Sequence, residues 1–230
     1  MFAILSSKIS EKFYEKTKIN VLSLPPYDRL DEPVSTHADM LISVIENTLF
    51  TYEDYYFENE KMFEKLGSYY KVVKVKHKCA KKYPEDIGLN VLVVDKKIFA
   101  NLKNTAKEII DFANENGYRL INVNQGYAAC STLALNGGAI TSDISIHNAL
   151  LKEGIKSLLI STNGINLPGY NCGFFGGATG VYDDKIYVFG SLKSLPDNEK
   201  IFNFISELNY KVVEILPEEV YDFGGIKQIS

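Results

Sequence analysis

The same pattern returns five times along this chain: a charged amphipathic stretch, then a strand rich in β-branched residues. The segments are EKFYEKTKINVLSL, NEKMFEKLGSYYKVVKV, LKNTAKEIIDFANENGYRLINV, HNALLKEGIKSLLIST and NEKIFNFISELNYKVVEI. Their strands begin near Ile19, Tyr70, Tyr118, Ile155 and Tyr210. In the helical halves apolar residues recur at helical spacing, as around Phe202, Ile205 and Leu208. The strand halves are near-continuous apolar runs, which predicts burial on both faces.

Ahead of each helix two apolar runs flank a polar, turn-forming pair, the signature of a hairpin. The predicted turns are Glu46-Asn47, Asp95-Lys96, Ser142-Asp143 and Asp183-Asp184. A fifth hairpin is missing unless the chain closes on itself. The terminal run GGIKQIS then supplies one strand and FAILSS, residues 2–7, the other, so the turn lies where the two termini meet. The unit is hairpin, helix, strand, and 230 residues hold five of them at about 46 residues apiece. The expected fold is α/β: one domain over residues 1–230, a five-fold ring of ββαβ units sealed by its last strand. The competing architecture is a plain α/β sandwich.

Composition narrows the function. The net charge of −4 offers no overall field for a phosphate backbone, so nucleic acid is not the expected partner. The basic run KVKHKCAKKY reads as a solvated strand end and loop. No apolar run approaches the roughly 18 residues that cross a bilayer, and the N-terminal MFAIL is too short for a signal-peptide core. A cytoplasmic protein is expected. Three cysteines, Cys79, Cys130 and Cys172, and three histidines without Cys-x-x-Cys spacing predict neither a disulfide framework nor a metal site. None of the glycines follows a nucleotide-binding pattern, and no cofactor is expected.

Three stretches, QGYAACS, GYNCGFFGGATG and DFGGIKQI, together with the five-fold repeat, resemble the guanidino-group-modifying enzymes of the pentein, or β/α-propeller, superfamily. The likeness is to a bacterial branch without an assigned activity. The resemblance implies a ring with a pocket on its axis. In the enzymes a Cys thiolate attacks the guanidinium carbon, a His moves protons, and carboxylates grip the cationic nitrogens.

Against that pattern, His37-Ala38-Asp39 matches the family's His-x-Asp strand, and its spacing predicts that His37 and Asp39 share one face. Gly224 and Gly225 match the Gly-Gly-x-x-Cys strand, but Gln228 stands where the nucleophile belongs, and an amide cannot attack a guanidinium. Where the family's His would sit relative to that strand, this chain has Thr141, Ser142 and Asp143. The alternative nucleophile is Cys130, beside Gln125 and two units on from His37. Asp143, aligned with Asp39, is a further carboxylate for a cation. Glycine pairs 137–138, 176–177 and 224–225 occupy matching places, where a missing side chain lets backbones pack or a ligand approach; Gly176 and Gly177 are counted with the site. The loop 164–177 is expected to cover the pocket, with Tyr170 or Phe174 as a wall.

Two functions follow. One is a binding protein that takes a small polar or cationic, guanidino- or amino-acid-like ligand, or a protein partner, without Cys chemistry. The other is a divergent hydrolase or amidinotransferase using Cys130 and His37. Nothing in the sequence specifies an oligomer.

Overall fold

The computed structural model describes residues 2–229. The chain opens with β1 (Phe2–Ser6), α1 (Ser10–Thr17) and β2 (Val21–Leu24). A short helical turn, α2 (Ala38–Leu41), then leads into β3 (Ile42–Ile45), β4 (Thr48–Tyr52), α3 (Glu53–Glu58), α4 (Glu60–Leu66) and β5 (Lys71–Val75). Next come β6 (Leu92–Val94), β7 (Lys97–Ala100), α5 (Lys107–Glu115) and β8 (Arg119–Asn122). A second short turn, α6 (Ala128–Ser131), precedes β9 (Thr132–Leu135), β10 (Gly138–Thr141), α7 (Ile144–Lys152) and β11 (Ser157–Leu159). The chain finishes with β12 (Ile165–Asn166), β13 (Thr179–Tyr182), β14 (Lys185–Val188), α8 (Asn198–Glu207), β15 (Lys211–Glu214), β16 (Val220–Tyr221) and β17 (Lys227–Ile229).

Among the described residues these strands form five three-stranded sheets and one two-stranded sheet. Each three-stranded sheet is built alike. An antiparallel hairpin is followed by a helical crossover and a third strand, parallel to the hairpin's second. The fifth hairpin joins the two ends of the chain: β17 pairs antiparallel with β1, Ala3 opposite Gln228 and Ile4 opposite Lys227, and β2 runs parallel to β1.

Three of the predicted turns stand where expected. Glu46, Asp95 and Asp183 lead them with φ of 52°, 53° and 54°; after glycine, Asn and Asp adopt that left-handed conformation most readily, which suits Asp95 and Asp183. The third hairpin differs. Its turn is Asn136-Gly137, with Gly137 at φ 90°. Gly137-Gly138 is thus a turn and the start of a second strand, not the start of a first one, and it does not match the pairs at 176–177 and 224–225. Ser142-Asp143 is no turn: the Asp143 carboxylate caps α7, accepting from the N–H groups of Ser145 and Ile146.

Burial also differs from expectation. The third strands are half-exposed, whereas the middle strands β1, β4 and β10 are buried throughout. An apolar run reads the same whether it lies mid-sheet or at an edge covered on one face. Exposed Lys71, Lys74, Arg119 and Lys211 on the third strands guard those edges against further pairing. The helices turn apolar stripes onto the sheets. In α8 the stripe is Ile201, Phe204 and Ile205, with Phe202 only half-buried, so the buried face lies one residue from that expected.

Candidate functional site

Five short segments run into the first strands of the hairpins and meet at the centre: 37–41, 86–91, 127–131, 174–178 and 222–226. Met40, Asn90, Cys130, Gly177 and Gly225 each stand two residues before such a strand. Hydrogen bonds link the segments in sequence. The Asn90 amide donates to the Asp39 carbonyl (3.0 Å) and accepts from the Ala129 N–H (2.8 Å). The Gly177 N–H donates to Cys130 O (2.8 Å) and the Gly225 N–H to Gly177 O (2.8 Å). The Asp39 N–H then donates to Gly224 O (3.0 Å), returning the circuit to its start. The approach is too close for side chains at two glycines. A Cβ on Gly224 would sit 2.3 Å from the His37 Cβ, and one on Gly177 would sit 2.0 Å from an Asp222 oxygen.

Two cavities flank this junction and share no lining residue. The first, about 250 Å³, is lined by His37, Met40, Asp86, Tyr127, Cys130 and Asp222, and is roofed by Leu167, Tyr170, Cys172 and Phe174 of the 164–177 loop. The loop lines this cavity rather than the space between the first strands of the hairpins, where only its Gly176 reaches. The second, about 210 Å³, is a channel between the first strands of the hairpins, with Asp39 and Lys227 on its wall.

In the first cavity His37 Nδ1 lies 3.6 Å from Asp222 Oδ1, both side chains buried. Asp222 also accepts from the Phe174 N–H (2.9 Å) and the Gly224 N–H (3.0 Å). Burial lowers the His37 pKa to about 3, with Lys8 adding to the effect. Burial, then the Asp39 charge, raises Asp222 to about 8. At neutral pH the two groups, 3.6 Å apart and not hydrogen-bonded to each other, therefore hold one dissociable proton together and carry no net charge. Asp86 accepts a hydrogen bond from Tyr127 (2.7 Å) on one carboxyl oxygen, and its other oxygen is buried without a partner. Burial raises its pKa too. No lysine or arginine lines this cavity.

Cys130 is 4% exposed, and its sulfur accepts from the Asn90 amide (2.9 Å). Burial, then Asp39 and Asp222, push the thiol well above its ordinary range, the reverse of an activated thiolate. Asp39 lies 2% exposed with neither carboxyl oxygen hydrogen-bonded. Its pKa is raised by burial and held back by Lys227 and by the neighbouring Cys130 thiol. A thiol is a weak donor, and this one influences Asp39 without satisfying it.

The sequence-predicted residues thus divide. His37 and Cys130 share the first cavity, with Tyr170 in its roof. His37 and Asp39 part company: they open a helical turn rather than a strand, so two residues of separation place them on different cavities. Gly176 and Gly225 line the channel, while Gly177 and Gly224 pack against Asp222 and His37. Gln125 and Asp143 lie outside both cavities, bonded to each other (3.1 Å). Burial works against the Asp143 carboxylate, but Ser145, Ile146 and Gln125 outweigh it and hold its pKa below the usual value. Gln228 lies at a hairpin end, bonded to Asp183 through both its amide atoms. Sequence reasoning missed Asp222, Asp86, Asn90 and Tyr127. Of these, Asp222 opens the DFGG run, residues 222–225, that carries the Gly224-Gly225 pair.

Among the described residues no group of three His, Cys, Asp or Glu side chains could hold a metal ion, and no helix is long and apolar enough to cross a membrane. The mixed α/β fold is shared with several solved structures of low sequence identity. It is similar to a DDAH from Pseudomonas aeruginosa, a cysteine-to-serine mutant complexed with citrulline, with 12% identity over 94% of this chain and 91% of that one and a TM-score of 0.59. A dimethylarginine dimethylaminohydrolase adduct with S-methyl-L-thiocitrulline is similar at 12% identity over 94% and 93%, TM-score 0.55. SxtG, an amidinotransferase from Microseira wollei in the saxitoxin biosynthetic pathway, is similar at 10% identity over 97% and 80%, TM-score 0.56. No protein of curated function matches the chain. Over residues 4–227 the chain belongs to the family described as "Family of unknown function (DUF6873)".

Proposed function

We propose that this chain is a closed pentein ring of five ββαβ units, a single domain, and that its His37 cavity binds a small cationic ligand of guanidino or amino-acid-like character. The β1–β17 hairpin and the circuit of hydrogen bonds through Asp39, Asn90, Cys130, Gly177 and Gly225 support the ring. The binding reading rests on one observation. The cavity carries the Asp86 and Asp222 carboxyl groups, one oxygen of Asp86 buried and unpartnered, and no lysine or arginine lines it. A guanidinium or amidinium offers parallel N–H donors and the missing charge, while Met40, Leu167 and Phe174 suit an alkyl stem.

The test is an equilibrium titration with methylguanidine, agmatine and arginine against wild type and Asp86→Asn. Saturable binding by at least one, weakened tenfold or more in the variant, is expected. Absence of binding by all three, or binding that the variant leaves unchanged, rejects the reading.

Covalent chemistry is the second reading, favoured because Cys130, His37 and Asp222 line the same cavity. The Cys130 thiol would pass its proton to His37 and add to the guanidinium carbon, opening the C=N bond; collapse of the adduct would break a C–N bond and expel an amine that takes the proton back from His37, leaving a thiouronium. Turnover of a guanidino compound that Cys130→Ser abolishes would establish it. Binding without turnover leaves the site as a receptor.

A further inference from the structure

The channel on the other side of the junction has a chemistry of its own. Its wall combines short stretches from all five hairpin strands, around 42–44, 91–93, 132–134, 179–181 and 225–227. Val44, Val93, Ala134 and Val181 are half-buried and so face the open end, whereas Ile42, Leu92, Thr132 and Thr179 are buried further in. Among the lining residues only two are charged, Asp39 and Lys227. The Asp39 carboxylate is almost wholly buried, and neither of its oxygens meets a hydrogen-bond donor. Leaving such a group unsatisfied costs free energy. Lys227 lines the same space, and no hydrogen bond joins it to Asp39.

Two opposite charges on one wall, separated by about 210 Å³ of space, are matched by a molecule bearing the reverse pair. One water needs only about 10–15 Å³ on this measure, so a ligand of several heavy atoms has room. A cation alone would satisfy Asp39 and meet repulsion from Lys227, and an anion alone would do the opposite. We propose that this channel is a second binding site, selective for a short zwitterionic amino acid whose ammonium meets Asp39 and whose carboxylate meets Lys227. The modest volume of the channel, about 210 Å³, favours a short amino acid such as glycine, alanine or β-alanine. The inference does not rest on the reading of the His37 cavity, because the two cavities share no residue.

The experiment is calorimetric titration of the intact protein with glycine, alanine and β-alanine, with methylammonium and acetate as single-charge probes. Millimolar or tighter binding of at least one zwitterion is expected, with each single-charge probe at least tenfold weaker. Lys227→Gln is the clean variant, since Lys227 is half-buried and touches no part of the His37 cavity. It is expected to weaken zwitterion binding tenfold or more and to leave methylguanidine binding unchanged. Asp39→Asn should also weaken zwitterion binding if it folds, but the test does not depend on it. Failure of every zwitterion to bind means that water alone hydrates Asp39, and overturns the proposal. Methylammonium binding as tightly as the zwitterions, or zwitterion binding that survives Lys227→Gln, also overturns it.

Discussion

Replacing Asp222 by asparagine should change how stability depends on pH, and the window follows from the His37–Asp222 pair. An unfolded chain titrates His near 6.5 and Asp near 3.9. In the folded protein burial keeps His37 neutral down to about 3 and keeps Asp222 protonated up to about 8. Between pH 4 and 6.5 the folded and unfolded pairs each hold one proton, so the slopes cancel. From 6.5 to 8 the folded pair holds a proton that the unfolded one has lost, and stability falls as pH rises. At about 1.4 kcal/mol per proton per pH unit, wild type loses about 2 kcal/mol across this window. The result is the same whether the proton rests on the carboxyl or on the imidazole. Asp222→Asn removes that titration, so its stability should stay level from pH 6.5 to 8. Urea denaturation of both proteins at several pH values reads the difference directly. Parallel curves for wild type and variant across the window would refute the shared-proton account.

Other variants test the packing of the junction and the state of the thiol. Gly177→Ala drives a Cβ into Asp222 and should cost about 3 kcal/mol or more by urea denaturation, at the top of the range for overpacking; a loss below about 1 kcal/mol would contradict the geometry. Asn90→Ala strands the Ala129 N–H and the Asp39 carbonyl in a buried site and should cost about 3 kcal/mol. A loss within error of zero would show that neighbouring groups replace the amide. In ligand-free protein Cys172, half-buried in the cavity roof, should alkylate before Cys130, whose thiol is buried and pushed up by two carboxyl groups. Mass spectrometry showing Cys130 to be the faster would mean an activated thiolate and would strengthen the catalytic reading.

Much of the scaffold was legible because its punctuation is local. Glu46-Asn47, Asp95-Lys96 and Asp183-Asp184 are polar pairs between apolar runs, and a two-residue loop needs no more than that. The terminal hairpin was legible by subtraction, since four hairpins and five helix-strand pairs leave one hairpin to be made from the two ends. The third hairpin was misread because consecutive glycines suit both a turn and a strand start, and nothing nearby in sequence distinguishes the two.

The site was harder to read. The turns α2 and α6 hold four residues each, too few for helical periodicity to register, and His37-Ala38-Asp39 reads equally well as a strand. That ambiguity sent His37 and Asp39 to one face on paper and to two cavities in the fold. Asp222 was obscured by the search for a cysteine a few residues further on. The His37–Asp222 contact joins positions far apart in the chain, which only the tertiary fold brings together.

The central claim, that the His37 cavity takes a cation onto its Asp86 and Asp222 carboxyl groups, is tested most directly by counting protons. At pH 7 a carboxyl group with a pKa of about 8 is mostly protonated, so a cation that pairs with it must displace its proton. Calorimetric titration of methylguanidine or agmatine in two buffers of different ionisation enthalpy should show close to one proton released per ligand bound at pH 7. Affinity should rise with pH and level off above about 8. Binding without proton release, or affinity that falls as pH rises, would contradict the account.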